Sequence, residues 1–117
     1  MSRFVIDLDH TLCVPHSLHQ DSHHRYALAD PIPDVIQAVQ RLYANGHYII
    51  LHTARRMVTH HGDIAKVEAD VGQITRDWLT QHAVPYHELV FGKPYGDFYV
   101  DDKAVLPISL TFLAQTL

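Results

Sequence analysis

The sequence predicts an α/β domain with a mainly parallel central sheet, arranged as a Rossmann-like three-layer sandwich without a separate cap domain. Two observations support this prediction. Short apolar runs alternate with helix-periodic stretches in the order strand, helix, strand, helix, strand, strand, helix. Polar clusters follow the predicted strands at their carboxyl ends, where parallel sheets bind ligands. A length of 117 residues predicts a single domain, residues 1–117.

Composition excludes several classes of partner. A formal net charge of −4 provides no basic field for a nucleic-acid backbone. The single cysteine, Cys13, excludes an internal disulfide and is compatible with a reducing compartment. The sequence shows neither a signal-peptide pattern nor an apolar run of membrane length. We therefore expect a cytoplasmic protein that binds neither nucleic acid nor membrane.

The first predicted strand covers residues 4–6 and runs directly into two aspartates. A short continuous apolar run of this kind predicts a strand buried on both faces. Since side chains alternate along a strand, Asp7 and Asp9 fall on the same side. Two carboxylates this close repel each other unless a cation or a proton intervenes. The pair is therefore either a Mg²⁺ site with a carboxylate nucleophile or a solvated turn after an edge strand.

The segment 14–33 separates this strand from the first long helix. It is polar and rich in histidine, and its length predicts a functional loop or a small hairpin flap. From Asp34 onward, apolar residues recur at three- and four-residue steps, which predicts a helix. Asn45-Gly46 is the usual signal for its end.

The middle of the chain continues the alternation of strands and helices. Residues 48–52 predict a second buried strand, which delivers Thr53 at its carboxyl end. Residues 57–72 show weak periodicity, and we interpret them as a second mobile loop with room for a helical turn over residues 64–69. The apolar positions of residues 73–82 then predict a helix.

The last third of the chain predicts two short strands and a final helix. Residues 89–91 form the first of these strands, and residues 98–100 form the second. The second strand ends in Asp101-Asp102, so a further polar cluster reaches the predicted ligand-binding edge. Pro107 fits the first turn of the last helix.

Histidine is unusually frequent, with eleven residues. Six of them lie in the two predicted loops and suggest a second metal site: His16, His19, His23, His24, His60 and His61. Their spacing lacks the tight, regular pattern of zinc sites, and no cysteine accompanies them. We therefore interpret them as loop residues that contact a polar or anionic substrate or that are simply exposed.

Four signals stand in order along the chain: Asp7-x-Asp9-x-Thr11, Thr53 after a strand, Lys93, and Asp101-Asp102 after a strand. Together they resemble the haloacid dehalogenase-like superfamily of phosphohydrolases, and the resemblance covers essentially the whole chain. Segments 51–55 and 91–104 more narrowly resemble small bacterial phosphatases associated with capsular polysaccharide biosynthesis.

The resemblance implies an enzyme that hydrolyses phosphate monoesters with Mg²⁺ as its cofactor. Asp7 would attack phosphorus and become an aspartyl phosphate, and Asp9 would serve as general acid and then as general base. Thr53 and Lys93 would bind the phosphoryl oxygens as charge develops. The implied Mg²⁺ ligands are Asp7, Asp9 through its backbone carbonyl, Asp102 and, directly or from the outer shell, Asp101.

Further expectations concern the substrate. These groups leave a bound phosphate short of positive charge, so Arg55 either bends toward the phosphate or another anionic group or is a solvated loop arginine. Tyr26 and Tyr95, in predicted loops, are candidates for contacting a sugar ring. The implied substrate is a small phosphorylated metabolite, such as a sugar phosphate of polysaccharide biosynthesis. A phosphotransferase or mutase on the same fold and a non-catalytic metal-binding regulatory protein remain alternatives.

The sequence has no room for an inserted cap domain. Excluding water favours phosphoryl chemistry, and relatives without caps often use a neighbouring subunit as the lid. We therefore expect a homo-oligomer, a dimer or a tetramer. The segments 14–33 and 57–72 flank the predicted crevice and are candidates for reaching across the interface.

Overall fold

The computed structural model describes residues 1–117. Its elements in chain order are β1 (Arg3–Ile6), β2 (Cys13–Val14), α1 (Ser22–Ala27), β3 (Asp30–Pro31), α2 (Pro33–Ala44), β4 (Tyr48–Thr53), α3 (Ile64–Gln81), β5 (Glu88–Phe91) and α4 (Pro107–Thr116). The predicted α/β class with a parallel sheet and no separate cap is confirmed. No helix is both long enough and apolar enough to cross a membrane.

The main sheet contains three parallel strands in the order β1-β4-β5. Ile6 aligns with Leu51, and Thr53 aligns with Phe91, so all three strands end at the same edge. Parallel sheets bind ligands beyond that edge. Asp7 follows β1 directly, and the sheet therefore places it near the end of β4.

The hydrophobic core lies on one face of this sheet. Ile49 and Leu51 of β4 are fully buried there, together with Val39 and Leu42 of α2 and Trp78 of α3. Burial of each large apolar side chain contributes about 1.5–3 kcal/mol relative to exposure. Helix α4 packs against α2 and adds its own buried side chains to the same cluster.

The opposite face of the sheet is less covered. Val5 on β1 is 64% exposed, and Val90 on β5 is 37% exposed. The expectation that the first strand is buried on both faces is therefore wrong for Val5. The reason is that the helices α2 and α3 pack on the other face of the sheet, where Ile6 lies beside Leu51.

The segment 14–33 forms a small hairpin with a helix inside it, and this segment is called the flap below. Strands β2 and β3 pair antiparallel, and helix α1 lies between them and packs against α3. The Trp78 indole donates a hydrogen bond of 2.9 Å to the Ala29 carbonyl, and the Ser22 hydroxyl donates to Asp70 on α3. Helix α3 therefore anchors both halves of the flap.

Two predicted boundaries need correction. The predicted loop 57–72 extends only to Asp63, where the carboxylate of Asp63 accepts the Lys66 amide at 3.2 Å and caps α3. The predicted strand 98–100 is not formed, and Val100 is 99% exposed. Local hydrogen bonds fold this segment back, because the Tyr99 hydroxyl donates to the Pro94 carbonyl at 2.6 Å.

Candidate active site

A tight turn after β1 presents the two aspartates of the first motif. The Leu8 carbonyl accepts the amides of Thr11 at 3.1 Å and Leu12 at 2.8 Å. His10 adopts a left-handed backbone conformation with φ 64°, which is uncommon for residues other than glycine. Such strain persists where the surrounding structure over-determines the backbone, and it is frequent at functional sites. Asp7 and Asp9 both line the cleft beside this turn.

This cleft has a volume of about 460 Å³ and lies at the carboxyl edge of the sheet. Three segments form its walls besides the aspartate turn: the flap, the turn after β4, and the loop after β5. Their lining side chains include Gln20, Arg25, Tyr26, Arg55, Arg56, Thr59, Tyr95 and Tyr99. Its volume falls in the range of small-molecule sites, 300–1,000 Å³ as a rough guide.

Lys93 is the cation that faces Asp7. Its ammonium lies 3.7 Å from Asp7 Oδ1 and 4.2 Å from the centre of the Tyr99 ring. The Lys93 amide donates to the Thr53 carbonyl at 3.1 Å, which fixes its position beside β4. Burial raises the pKa of Asp7, Lys93 opposes this rise, and the nearby charge of Asp9 adds to it.

Arg55 binds Asp9 and is only 3% exposed. Its Nε lies 3.1 Å from both Asp9 oxygens, and its Nη2 lies 2.8 Å from Oδ1. Nη1 donates to the Thr75 hydroxyl at 2.9 Å, and the guanidinium carbon lies 4.4 Å from the centre of the Tyr26 ring. Burial alone disfavours its charge, but Asp9 outweighs burial, so the pKa of Arg55 is raised. The structure therefore excludes a solvated loop arginine.

Cys13 contacts the same guanidinium group, but burial decides its ionisation state. Arg55 Nη2 lies 3.4 Å from Cys13 Sγ. Burial raises the pKa of the Cys13 thiol to about 12, so this side chain stays neutral at physiological pH. A neutral buried thiol is a packing residue rather than a nucleophile.

Thr53 lies behind the cleft and is 1% exposed. Its hydroxyl accepts the Arg55 amide at 3.1 Å. This contact orients the first residues after β4, and Thr53 thereby connects the end of that strand to the ion pair of Arg55 and Asp9.

Asp101 and Asp102 lie apart from this group. The Asp102 side chain is 83% exposed and lies 3.3 Å from Lys103 Nζ. The Lys103 amide donates to Asp101 at 2.8 Å, and this hydrogen bond lowers the pKa of Asp101. The carboxylates of Asp7, Asp9 and Asp102 do not converge within 4.8 Å of one another. The structure thus places Asp7, Asp9 and Arg55 in the cleft and Lys93 beside Asp7. Thr53 stays buried behind the cleft. Asp101 and Asp102 lie outside it, because the strand that should deliver them is not formed.

Sequence reasoning missed two arginines of the cleft. Arg25 and Arg56 lie 5.8 and 5.3 Å from the centre of the Tyr26 ring, so three guanidinium groups including that of Arg55 surround one aromatic side chain. The adjacent Arg55-Arg56 pair was a usable sequence signal, whereas nothing in the sequence connects residue 25 with residue 56. Tyr95 is 64% exposed at the rim, and Tyr26 is buried in the wall.

The donor groups of the cleft suit a hard divalent cation. Carboxylate and carbonyl oxygens are the ligands that Mg²⁺ prefers, and neither cysteine nor methionine lines the cleft. The raised pKa of Asp7 indicates that Lys93 compensates the buried carboxylate only in part. A cation beside Asp7 and Asp9 would supply the missing charge, so these residues fit Mg²⁺.

Comparison with known proteins establishes the family. No protein-family model matches the chain, and no curated protein matches it. A crystal structure of a structural-genomics target from Vibrio cholerae matches with a TM-score of 0.83 and 34% sequence identity. The match covers 95% of this chain and 88% of that chain. The two proteins belong to one family.

Two more distant structures establish the fold. A D,D-heptose 1,7-bisphosphate phosphatase from B. bronchiseptica matches with a TM-score of 0.52 and 19% identity. Another from Burkholderia thailandensis matches with a TM-score of 0.50 and 18% identity. The matches cover 89% and 78% of this chain, respectively, but only 54% and 52% of those proteins, so this chain spans about half their length. The B. bronchiseptica structure contains magnesium and phosphate. The family therefore has the haloacid dehalogenase-like fold.

Proposed function

We propose that this protein is a Mg²⁺-dependent phosphomonoesterase that acts on a small sugar phosphate through an aspartyl phosphate. The observation that carries the proposal is the composition of the cleft. Two carboxylates, Asp7 and Asp9, face three guanidinium groups around the Tyr26 ring, and Lys93 lies beside Asp7. A phosphate dianion needs such cations, and a carboxylate is a suitable nucleophile for phosphorus.

Asp7 and Asp9 divide the chemistry between them. An Asp7 oxygen attacks phosphorus, the bond from phosphorus to the substrate oxygen breaks, and that oxygen takes a proton from Asp9. Asp9 then removes a proton from a water molecule, whose oxygen attacks phosphorus. The bond from phosphorus to Asp7 breaks, and inorganic phosphate leaves. The proton that Asp9 gives to the leaving oxygen is thus replaced by the proton that it takes from water when the aspartyl phosphate is hydrolysed.

The ion pair with Arg55 determines when Asp9 can transfer a proton. Arg55 holds both Asp9 oxygens, so proton transfer requires this ion pair to open. A phosphate group in the cleft offers Arg55 another anion with the same bidentate geometry. Arg55 exchanges Asp9 for phosphate, which releases Asp9 and neutralises the substrate in one movement.

Mg²⁺ would be held by the Asp7 carboxylate, the Asp9 carbonyl and the Asp102 carboxylate, with Asp101 beside or among the ligands. When bound, the ion would neutralise charge on the phosphoryl oxygens. Because Asp101 and Asp102 are exposed, the proposal requires the segment 98–102 to approach the free outer edge of β1.

The substrate class is inferred from the aromatic side chains of the cleft and from the structural relatives. Tyr26 and Tyr95 give the cleft an aromatic wall beside its charges, a combination that suits a sugar phosphate. The distant structural relatives are phosphatases of a sugar bisphosphate, and the sequence resembles phosphatases of capsular polysaccharide biosynthesis. We therefore propose a sugar phosphate of polysaccharide biosynthesis.

The function is tested by phosphate release from a panel of sugar phosphates. We expect hydrolysis of at least one of them with Mg²⁺ and loss of activity after chelation, because the carboxylate oxygens of Asp7 and Asp9 suit a hard ion. Adding Mg²⁺ back should restore the rate. Full activity after exhaustive chelation would contradict the proposed use of the metal.

The titration of Asp7 in metal-free protein should show the effect of its burial. Burial raises the pKa of Asp7, so its carboxyl group should titrate at a higher pH than an ordinary aspartate when it is followed by NMR without Mg²⁺. Lys93 lowers this pKa, so in Lys93→Met the titration should move to still higher pH. An unmoved titration would show that Lys93 does not act on Asp7.

We also propose that the protein is a homo-oligomer, a dimer or a tetramer. Large apolar side chains are exposed around the C-terminal segment, among them Phe98, Leu106, Ile108 and Phe112. Contiguous exposed apolar surface is typical of interaction sites. Light scattering should give a mass of at least two chains, and Phe112→Glu should lower it. A strict monomer with full activity would contradict this proposal.

A further inference from the structure

Three potential metal ligands converge in the flap, away from the catalytic carboxylates. His19, Asp21 and His24 each offer one ligand atom, and these atoms all lie within 4.8 Å of one another. No other set of three histidine, cysteine, aspartate or glutamate side chains in the structure is placed this closely. None of the three lines the cleft, so the group is separate from the proposed active site.

The local structure holds these side chains together. Asp21 caps α1, since its Oδ2 accepts the His24 amide at 3.1 Å and lies 2.6 Å from His24 Nδ1. The rings of His19 and His24 stack with centroids 4.7 Å apart. The side chains of Asp21 and His24 are 56% and 48% exposed, so an ion has access from solvent.

A fourth nitrogen lies beside the group. The His16 ring is 5.0 Å from the His19 ring. Its Nδ1 is buried and has no hydrogen-bond partner. Buried polar atoms without a partner are rare because they cost free energy. His16 is outside the set of ligand atoms that lie within 4.8 Å of one another, so its ring would have to turn toward the group for an ion to satisfy this nitrogen.

We propose that the flap binds a zinc-type transition-metal ion through His19, Asp21 and His24, with His16 or a water molecule as the fourth ligand. Imidazole nitrogens together with one carboxylate suit Zn²⁺ in a four-coordinate site, whereas Mg²⁺ takes oxygen ligands. The ion replaces the hydrogen bond between Asp21 and His24 by two coordinate bonds. The irregular spacing of the residues hid this site in the sequence.

The ion would fix one wall of the cleft. Arg25 Nη1 approaches the His19 carbonyl at 3.5 Å, and Arg56 donates to the Gln20 carbonyl. Gln20 and Arg25 line the cleft, as does Tyr26 next to them. An ion held by residues 19–24 would therefore fix the positions of the Gln20, Arg25 and Tyr26 side chains in the cleft. Its role is structural, and it does not depend on the reaction that the cleft performs.

Zinc binding is tested by titrating metal-free protein with ZnCl₂ in competition with a chromophoric chelator. The protein must carry no polyhistidine tag, and excess Mg²⁺ keeps the carboxylates of the cleft occupied. We expect one equivalent of Zn²⁺, with affinity lowered at least about tenfold in Asp21→Asn and in His24→Gln. Asparagine retains the ability to cap α1, so Asp21→Asn tests the ligand rather than the helix.

His23→Gln is the matched control, since His23 is an exposed neighbour in α1 outside the group. It should bind Zn²⁺ like the parent protein. Zn²⁺ should also raise the midpoint of thermal unfolding in the parent and in His23→Gln, but not in Asp21→Asn. Equal zinc affinity in all variants, no binding by the parent, or loss of binding only in Asp7→Asn would each overturn the proposal.

Discussion

Asp7→Asn is expected to lower the rate of phosphate release by at least about 10³-fold. The amide cannot attack phosphorus, and losing a covalent nucleophile commonly costs about 10⁴-fold or more in other hydrolases. The substitution keeps the size of the side chain and removes a carboxylate whose ionised form burial disfavours. The fold should therefore persist, which circular dichroism can verify.

Asp77→Asn is the control for this substitution. Asp77 lies exposed on α3, where it accepts a hydrogen bond from Gln73, and its loss should leave turnover unchanged. Rapid acid quenching of the parent protein with labelled substrate should trap a phosphoprotein that hydroxylamine cleaves, as expected for an acyl phosphate. Turnover near the parent rate in Asp7→Asn would exclude the covalent mechanism.

Arg55→Met is expected to lower the free energy of unfolding by about 3 kcal/mol. Removing one partner of a buried ion pair leaves the other charge without compensation, which costs about 3–5 kcal/mol. The side chain of Asp9 is 23% exposed, so we expect the lower end of this range. Thr75 also loses its hydrogen-bond donor. Urea unfolding of metal-free protein at neutral pH measures the change.

A second arginine provides the comparison. Arg76 pairs with Glu68 at 2.6 Å, but both side chains are 42% exposed, and exposed pairs contribute about 1 kcal/mol or less. Arg76→Met should therefore cost much less than Arg55→Met. Combining Asp9→Asn with Arg55→Met should cost less than the sum of the single changes. Equal losses in the two arginine variants would show that the ion pair with Asp9 contributes little.

The sequence determined the parts of this protein that depend on local pattern. Helix α2, which is capped by Asn45, follows from its apolar period, and Gly46 takes the left-handed conformation, φ 88°, expected after a helix. The buried strand β4 follows from an apolar run between turn signals. These elements also set the place of Asp7 and Thr53, because residues after parallel strands meet at one edge of the sheet.

The long helix α3 shows the limit of local pattern. Its first turns carry the weakly periodic residues 64–72, which suggested a loop. They are helical in the structure because Asp63 caps them and because Val67 and Val71 pack with Tyr26 and Phe91. Tertiary packing of this kind outweighs weak local preference.

Only the tertiary structure decided the contacts between distant segments. Arg55 is 46 residues from Asp9, and the sequence could not tell whether it faces solvent, phosphate or a carboxylate. The position of Asp102 depends on whether residues 98–100 pair with β1 or fold back through Tyr99. The cluster of His19, Asp21 and His24 exists because Asp21 caps helix α1 and thereby contacts His24. Pair energies of this kind depend on burial and distance, and a linear sequence contains neither.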